Sequence, residues 1–266
     1  SIGHGGCIYC NNLSFSPMAE KRSLSVAEQI EAGRRFFARK YPEMRYLAYF
    51  QSYTSTYGNI DHLMDLYRQA ISQPGVEGLV IGTRPDCMPD ELLKHLGSLP
   101  GKVFVEFGAE SSHDSTLKLI NRGHSWAQVA DAVERTSSAG LPVGLHLILG
   151  LPGEDRAMML ESVARSSALP IATIKFHQLQ ILRGTPLAVL LDRGAIPEPS
   201  VFTPESYAEL CADVVDRLPK SIAVDRFVAS APPELVIAPK WGLKNYQFTA
   251  LLHRVLAERD EARGSH

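Results

Sequence analysis

The sequence predicts an α/β protein built as a partial (β/α)6-type TIM barrel with parallel strands and a small C-terminal extension. First, short apolar runs of strand length alternate with segments of helical spacing, which is typical of a parallel sheet. Second, unusual polar residues directly follow the apolar runs, as in barrels whose chemistry lies at the carboxyl ends of the strands. Third, 266 residues, 45% of them hydrophobic, suffice for one large α/β domain.

Five β-α repeats can be followed along the chain. Strands are predicted at 46–51, 78–81, 102–107, 143–149 and 172–182. Helices are predicted at 59–72, 91–96, 113–120, 125–139 and 154–169. A capping box from Ser25 to Glu28 predicts an earlier helix that runs to about Tyr41.

The domain organisation follows from a change of character near residue 187. Residues 1–186 are expected to form the barrel. We expect the barrel to be incomplete at its N-terminus, because the sequence starts almost directly with a glycine-rich loop at residues 3–6. Residues 187–263 contain several prolines, two predicted helices at 204–217 and 244–260, and a strand-like stretch at 222–228. We expect them to form an extension packed on the barrel. Residues 264–266 resemble the remnant of a purification tag.

Composition narrows the class of protein. The formal net charge of −2 argues against a strongly basic nucleic-acid binder, although a local basic patch stays open. No run of 18 apolar residues exists, so no membrane span is expected. Four cysteines are too few for a disulfide framework, and we expect a cytoplasmic protein.

Cys7 and Cys10 form a C-x-x-C pair, the spacing that lets two sulfurs face one metal centre. A zinc ribbon needs a second such pair, whereas Cys87 and Cys211 lie far apart. A thioredoxin-type pair opens a helix, but a loop-like sequence follows Cys10. Iron–sulfur ligation therefore fits best, with two cysteines that bind no metal as the alternative.

Five motifs in this order resemble the radical S-adenosylmethionine (SAM) superfamily, and within it the YhcC-like group related to the elongator catalytic subunit. They are GGCIYCNN, YLAYFQSYTSTYG, GTRPDC, EFGAESSHDSTLKLINRGHS and HLILGLPGE. The resemblance covers nearly the whole chain.

The resemblance implies a [4Fe–4S] cluster held by three cysteines, two of them Cys7 and Cys10. The third is expected upstream of Ser1, with His4 or Cys87 as less favoured alternatives. The open iron of such a cluster binds SAM, and an electron from a donor such as flavodoxin or ferredoxin cleaves SAM to methionine and a 5′-deoxyadenosyl radical. That radical abstracts hydrogen from a substrate, and the kinship with elongator suggests a transfer-RNA wobble uridine.

The resemblance also implies which residues contact SAM. In related enzymes a glutamine, an arginine and an aspartate hold SAM at the positions of Glu110, Arg122 and His146, so two of the three identities differ here. A surface ion pair is the alternative for Arg122, and a satisfied core residue for His146. The remaining candidates are Tyr9, Gln51, Ser52, Thr54, Arg84, Glu106, Gly150 and Pro152.

Simpler structural roles stay open for several of these residues. Arg84 can form an ion pair with Asp86, and the turn at 150–154 can merely start a helix. Lys175, His177 and Gln180 are expected to face substrate, and Arg226 is one of several C-terminal residues that either join a substrate surface or are simply solvated. The sequence identifies no residue that acts on the substrate itself.

Two other hypotheses belong to different classes. One is a non-radical barrel whose Cys7 and Cys10 bind zinc. The other is a catalytically inactive binding protein. Measuring whether the protein binds iron or zinc distinguishes the zinc-binding barrel from a radical SAM enzyme. Testing for release of 5′-deoxyadenosine distinguishes the inactive binding protein from one.

Overall fold

The computed structural model describes residues 5–11, 24–38, 43–51 and 53–264. Their main feature is a six-stranded, all-parallel sheet in the order β1-β2-β3-β4-β5-β7. Its strands are β1 Tyr46–Phe50, β2 Val76–Thr83, β3 Lys102–Glu110, β4 Val143–Leu149, β5 Thr173–Gln178 and β7 Ala223–Arg226. The sheet curls into a half-barrel with helices outside, which confirms the predicted partial TIM barrel.

Helices follow most strands, as the sequence pattern predicts. They are α1 Val26–Ala38, α2 Ile60–Ile71, α3 Asp90–Leu96, α4 Asp114–Leu119, α5 Trp126–Ser138, α6 Arg156–Ser167, α7 Pro186–Asp192, α8 Pro204–Arg217 and α9 Asn245–Gly264. Short capping side chains begin several of them, including Asn59 before α2 and Ser125 before α5. No helix in the described part of the chain is both long and apolar enough to cross a membrane.

The two faces of the sheet differ in chemistry because side chains alternate along each strand. Val105 and Phe107 on β3 and Leu145 and Leu147 on β4 face the helices and are fully buried in the main core. The intervening residues face the inside of the half-barrel, which we call the lumen. The polar residues of the inner strands, such as Glu106, therefore gather in the lumen rather than among the helices.

The predicted continuous strand over 172–182 is two separate strands. β5 ends at Gln178. The side-chain amide of Gln178 donates to the Ala229 carbonyl and accepts from the Ala229 backbone amide. The chain then leaves the sheet, and β6, Ile181–Leu182, pairs antiparallel with β8, Val236–Ala238. Alternation of apolar and polar residues continues through the break, which is why the pattern did not reveal it.

The C-terminal residues contribute to the sheet itself. The strand-like stretch predicted at 222–228 contains β7, which lies parallel to β5 as the sixth strand. An aromatic cluster joins the two long C-terminal helices. It consists of Tyr207 of α8, Trp241 of the segment before α9, and Phe248 of α9, with ring centroids 5.4–5.8 Å apart. This cluster attaches the last two long helices to the half-barrel.

Candidate functional site

The loop that carries Cys7 and Cys10 is held at the carboxyl end of the sheet by backbone hydrogen bonds. The Ile8 amide donates to the Ile120 carbonyl at 3.1 Å, and the Leu187 amide donates to the Ile8 carbonyl at 2.8 Å. The Asn121 side chain donates to the Gly6 carbonyl at 2.7 Å. The cysteine pair thus lies between the end of α4 and the start of α7, above the lumen.

Arg122 connects this loop to β3. Its Nη1 lies 3.5 Å from the Cys7 sulfur, and its Nη2 lies 3.4 Å from Glu110 Oε1. Nε and Nη2 both donate to the Gly108 carbonyl, at 3.2 and 2.6 Å. Arg122 is only 8% exposed, so the surface ion pair considered from the sequence does not describe it. Arg122 thus lies between the cysteine loop and the end of β3.

A bulge at the end of β3 directs Glu110 toward this arginine. Gly108 pairs with His146 of β4 while Glu110 pairs with the next residue, Leu147, so β3 contains one extra residue. Glu110 has a φ of 69°, the left-handed region that non-glycine residues rarely adopt. Such bulges re-aim side chains and occur next to active sites. Glu110 therefore has a strained backbone conformation, and its carboxylate lies beside Arg122.

Tyr9, between the two cysteines, faces the same place. Its ring packs with an apolar cluster that includes Ile148 of β4. Burial, followed by the charges of Glu110 and Cys7, raises the pKa of the Tyr9 hydroxyl well above its ordinary value. The structure therefore groups Cys7, Tyr9, Glu110 and Arg122 in one location.

His124 was not singled out from the sequence, yet it contacts this group. Its Nε2 lies 3.1 Å from the Gly108 carbonyl oxygen, which Arg122 also contacts. Burial and the neighbouring Arg122 charge lower the pKa of His124 to about 4, so the ring is neutral near pH 7. The sequence does place His124 two residues after Arg122, within the same motif, and this proximity is the signal that could have identified it.

Glu106 and His146 lie in the lumen and contact each other. Glu106 Oε2 is 2.8 Å from His146 Nε2 and 3.0 Å from Lys175 Nζ, and it accepts a 2.6 Å hydrogen bond from the Tyr49 hydroxyl. Burial alone would raise the pKa of Glu106, but bonding and charge from His146 and then the Lys175 charge outweigh it and lower the pKa to about 2. This group links strands β1, β3, β4 and β5 and includes Lys175, expected to face substrate.

Arg84 is engaged by protein groups. Its guanidinium forms two hydrogen bonds with Asp86, at 2.9 and 2.7 Å, and a third with the Gly123 carbonyl at 3.2 Å. This is the ion pair that the sequence left open as an alternative. Through Gly123, Arg84 supports the turn that carries Arg122.

The remaining candidates lie at the ends of β1 and β4. Gln51 is exposed directly after β1, and the Thr54 carbonyl accepts a 3.1 Å bond from the Tyr57 amide. Ser52 lies outside the described residues. Gly150, with a φ of 97°, and Pro152 are buried in the turn after β4. A side chain at Gly150 would meet the Ser200 carbonyl at 2.6 Å, so this close approach requires glycine.

The donor set fits an iron–sulfur cluster as far as the described residues extend. No group of three or more His, Cys, Asp or Glu side chains among them forms a metal site by itself. Cys7 and Cys10 supply two thiols on one loop, and the Arg122 guanidinium lies beside the Cys7 sulfur. Burial, and then the charge of Cys7, raises the pKa of the Cys10 thiol to about 11. Cys87 and Cys211 are buried and lie outside this loop.

Comparison with known proteins gives a consistent result. The model of the "Radical SAM superfamily" matches residues 3–165, and that of the "Radical_SAM C-terminal domain" matches residues 171–258. Protein YhcC of Escherichia coli is 36% identical over 261 residues, which are 97% of this chain and 82% of that protein. A tRNA uridine(34) acetyltransferase of Methanocaldococcus infernus is 26% identical over 185 residues, which are 68% of this chain and 33% of that protein.

Among solved structures, the archaeal Elp3 of Methanocaldococcus infernus, with an N-terminal deletion, superimposes with a TM-score of 0.77. The match covers 91% of this chain and 61% of that one, at 18% identity. At this identity the likeness concerns the fold.

Proposed function

The chain belongs to the radical SAM superfamily, and on that premise we propose that Cys7, Cys10 and the residues around Arg122 form its cluster and SAM site. Enzymes of this superfamily use a [4Fe–4S] cluster and SAM, and require an electron donor. The observation that carries the assignment is the buried Arg122, which contacts both the Cys7 sulfur and Glu110 at the carboxyl end of the half-barrel.

Cys7 and Cys10 would hold two corners of a [4Fe–4S] cluster, which would supply the one-electron reduction of SAM. The protein residues position SAM and keep water out. Arg122 offers a guanidinium suited to a carboxylate, and Glu110 offers acceptors for ribose hydroxyls. Tyr9 and the buried turn at Gly150 and Pro152 provide apolar surface and close backbone approach for the adenine.

The other candidates have different supporting roles in this proposal. Gln51, Thr54 and Ser52 follow β1 and are proposed to receive the amino group of the methionine moiety. Glu106 and His146, which already bond each other, form the polar floor of the site. Arg84 acts through Gly123 by holding the Arg122 turn, and is a positioning residue.

The test is reductive SAM cleavage by the complete gene product. After anaerobic reconstitution with iron and sulfide and reduction with dithionite, we expect release of 5′-deoxyadenosine and methionine. Cys10→Ala should abolish the release, whereas Cys87→Ala, the matched control, should retain it. Stoichiometric zinc without iron would support the zinc-binding alternative. An assembled cluster that releases no 5′-deoxyadenosine would support the inactive binding protein.

The finer proposal is that the substrate is a transfer-RNA wobble uridine. Its support is the similarity to tRNA uridine(34) acetyltransferases over two thirds of the chain. We expect a transfer RNA with uridine at position 34 to stimulate 5′-deoxyadenosine release. The same RNA with cytidine at position 34 is the control, and equal stimulation by both would contradict this substrate.

A further inference from the structure

Arg226 ends β7 inside the lumen and has no acidic partner among the described residues. No carboxylate lies within ion-pair distance of its guanidinium in the described part of the chain. Its Nε is buried and has no hydrogen-bond acceptor among the residues that the structure describes. Its one polar side-chain contact there is Nη2 at 3.4 Å from His177 Nε2. A buried N–H of a cation without an acceptor is costly unless a ligand supplies one.

A second bulge explains how Arg226 reaches the lumen. Ile174 of β5 pairs with Val224, but the next residue, Lys175, pairs with Arg226, so Asp225 is the extra residue of β7. The bulge lets two successive side chains serve the same region. Asp225 bonds Lys175 at 2.9 Å, and Arg226 extends to His177.

The neighbours of Arg226 leave its positive charge available to a ligand. Lys175 already binds both Glu106 and Asp225, at 3.0 and 2.9 Å. His177 stays neutral because burial, and then the charges of His146 and Arg226, lower its pKa well below the ordinary value. Neutral His177 accepts from Arg226 but contributes no negative charge.

We propose that Arg226, supported by His177, binds an anionic oxygen group, a carboxylate or a phosphate, of the substrate. The planar guanidinium fork matches both groups. The identification of this ligand as the substrate rests on the proposed function. The binding of an anion at Arg226 does not depend on that function. β7 is three strands away from β3, which carries Gly108 and Glu110, a separation of up to roughly 14 Å at about 4.8 Å per strand. The subsite therefore lies on a different strand from Gly108 and Glu110, the residues that contact Arg122.

Its place at the edge of the sheet suits a large substrate. β1 and β7 are the two outer strands of the half-barrel, so the lumen opens between them. Tyr49 of β1 extends toward Glu106 and Lys175, and its ring is partly exposed. Arg226 lies on the opposite outer strand, β7.

The experiment follows the arginine Nε–H signals of the ¹⁵N-labelled chain by NMR during titration with acetate or dimethyl phosphate. The Arg226 signal is identified by its loss in Arg226→Gln. We expect it to shift saturably with at least one anion, while the signal of the exposed Arg193 responds only as a general salt effect. In calorimetry, Arg226→Gln should weaken binding of that anion by about tenfold or more, and Arg193→Gln, of equal charge change, should not.

An Arg226 signal that moves no more than the Arg193 signal would overturn the proposal. Repeating the titration with saturating SAM separates two sources of the anion. If the anion still binds, the site belongs to the substrate; if SAM itself produces the shift and blocks the anion, the assignment to substrate is wrong. The titration requires no turnover, so a failure of SAM cleavage with normal anion binding would count against the proposed function alone.

Discussion

Gly108 is the residue at which the contacts of Arg122, Glu110 and His124 converge. Its carbonyl receives two bonds from Arg122 and lies beside His124. A β-carbon at this position would lie 2.5 Å from Arg122 Nη2 and 2.5 Å from Glu110 Oε1. The absence of a side chain therefore allows the guanidinium and the carboxylate to meet above β3.

Gly108→Ala should displace Arg122 from Glu110 and from Cys7. We expect SAM to bind about tenfold more weakly, or worse, because a charge-assisted contact is lost. Overpacking should also lower the free energy of unfolding by about 1–3 kcal/mol. Gly33→Ala is the control, since a β-carbon there meets nothing within 4 Å. Calorimetric SAM affinity equal to that of the parent chain would argue against the role of Arg122.

His124 should make stability depend on pH. Its folded pKa of about 4 is depressed below the ordinary histidine pKa of 6.5, so the unfolded chain binds the proton more readily. The stability from His124 is therefore present above pH 6.5 and is lost as pH falls toward 4. Between pH 7.5 and 5 this amounts to about 2 kcal/mol in urea unfolding.

His124→Gln should remove that part of the pH dependence because glutamine does not titrate. The exposed His253→Gln should leave it unchanged. An identical pH profile for His124→Gln and the parent chain would show that another group is responsible.

At the scale of elements, the connection from α4 to α5 carries the site. Its start is tied to the cysteine loop by the Ile120 carbonyl, and its turn uses left-handed backbone at Asn121 and Gly123. A β-carbon at Gly123 would lie 2.9 Å from Arg84 Nη2, so Arg84 packs directly on this turn. Its end is fixed by the capping box of Ser125 and Gln128.

Ser125→Ala should destabilise the chain by about 1 kcal/mol, since the amide of Gln128 loses its acceptor. Chemical denaturation measures this difference. Ser138→Ala, in the last turn of the same helix, changes no cap and should be neutral within about 0.5 kcal/mol. Equal effects of the two substitutions would contradict the capping role.

At the scale of the whole molecule, charged groups inside the lumen bind the strands to one another. Glu106 on β3 contacts side chains of β1, β4 and β5, and Lys175 extends the network to Asp225 of β7. The two carboxylates that bind Lys175 differ in environment. The Glu106 side chain is 13% exposed, whereas that of Asp225 is 54% exposed.

Glu106→Ala should therefore cost about 3 kcal/mol of unfolding free energy, because a buried lysine loses its main partner. Asp225→Asn removes an exposed partner of the same lysine and should cost less than about 1 kcal/mol. Thermal and urea unfolding of both variants measure the difference. Comparable losses would mean that the interior network does not depend on Glu106.

The sequence predicts the half-barrel and the edge of the sheet where the polar residues gather, because apolar periodicity and motif order are local signals. It does not predict which lumen side chains meet. Tyr49 and Glu106 are 57 residues apart, and nothing local links them. The bulges that re-aim Glu110 and Arg226 are single-residue shifts in pairing between strands, and a pattern within one strand does not reveal them. For Arg84 the sequence left two roles open, and the structure shows the ion pair with Asp86.

The most direct test of the central claim is the electron paramagnetic resonance spectrum of the reconstituted, dithionite-reduced gene product with and without SAM. We expect an iron–sulfur signal that changes when SAM is added, because SAM would bind at the cluster that Cys7 and Cys10 would hold. The signal should be lost in Cys10→Ala and kept in Cys87→Ala. A protein that contains zinc in place of iron, or an iron–sulfur signal that survives in Cys10→Ala, would contradict the account.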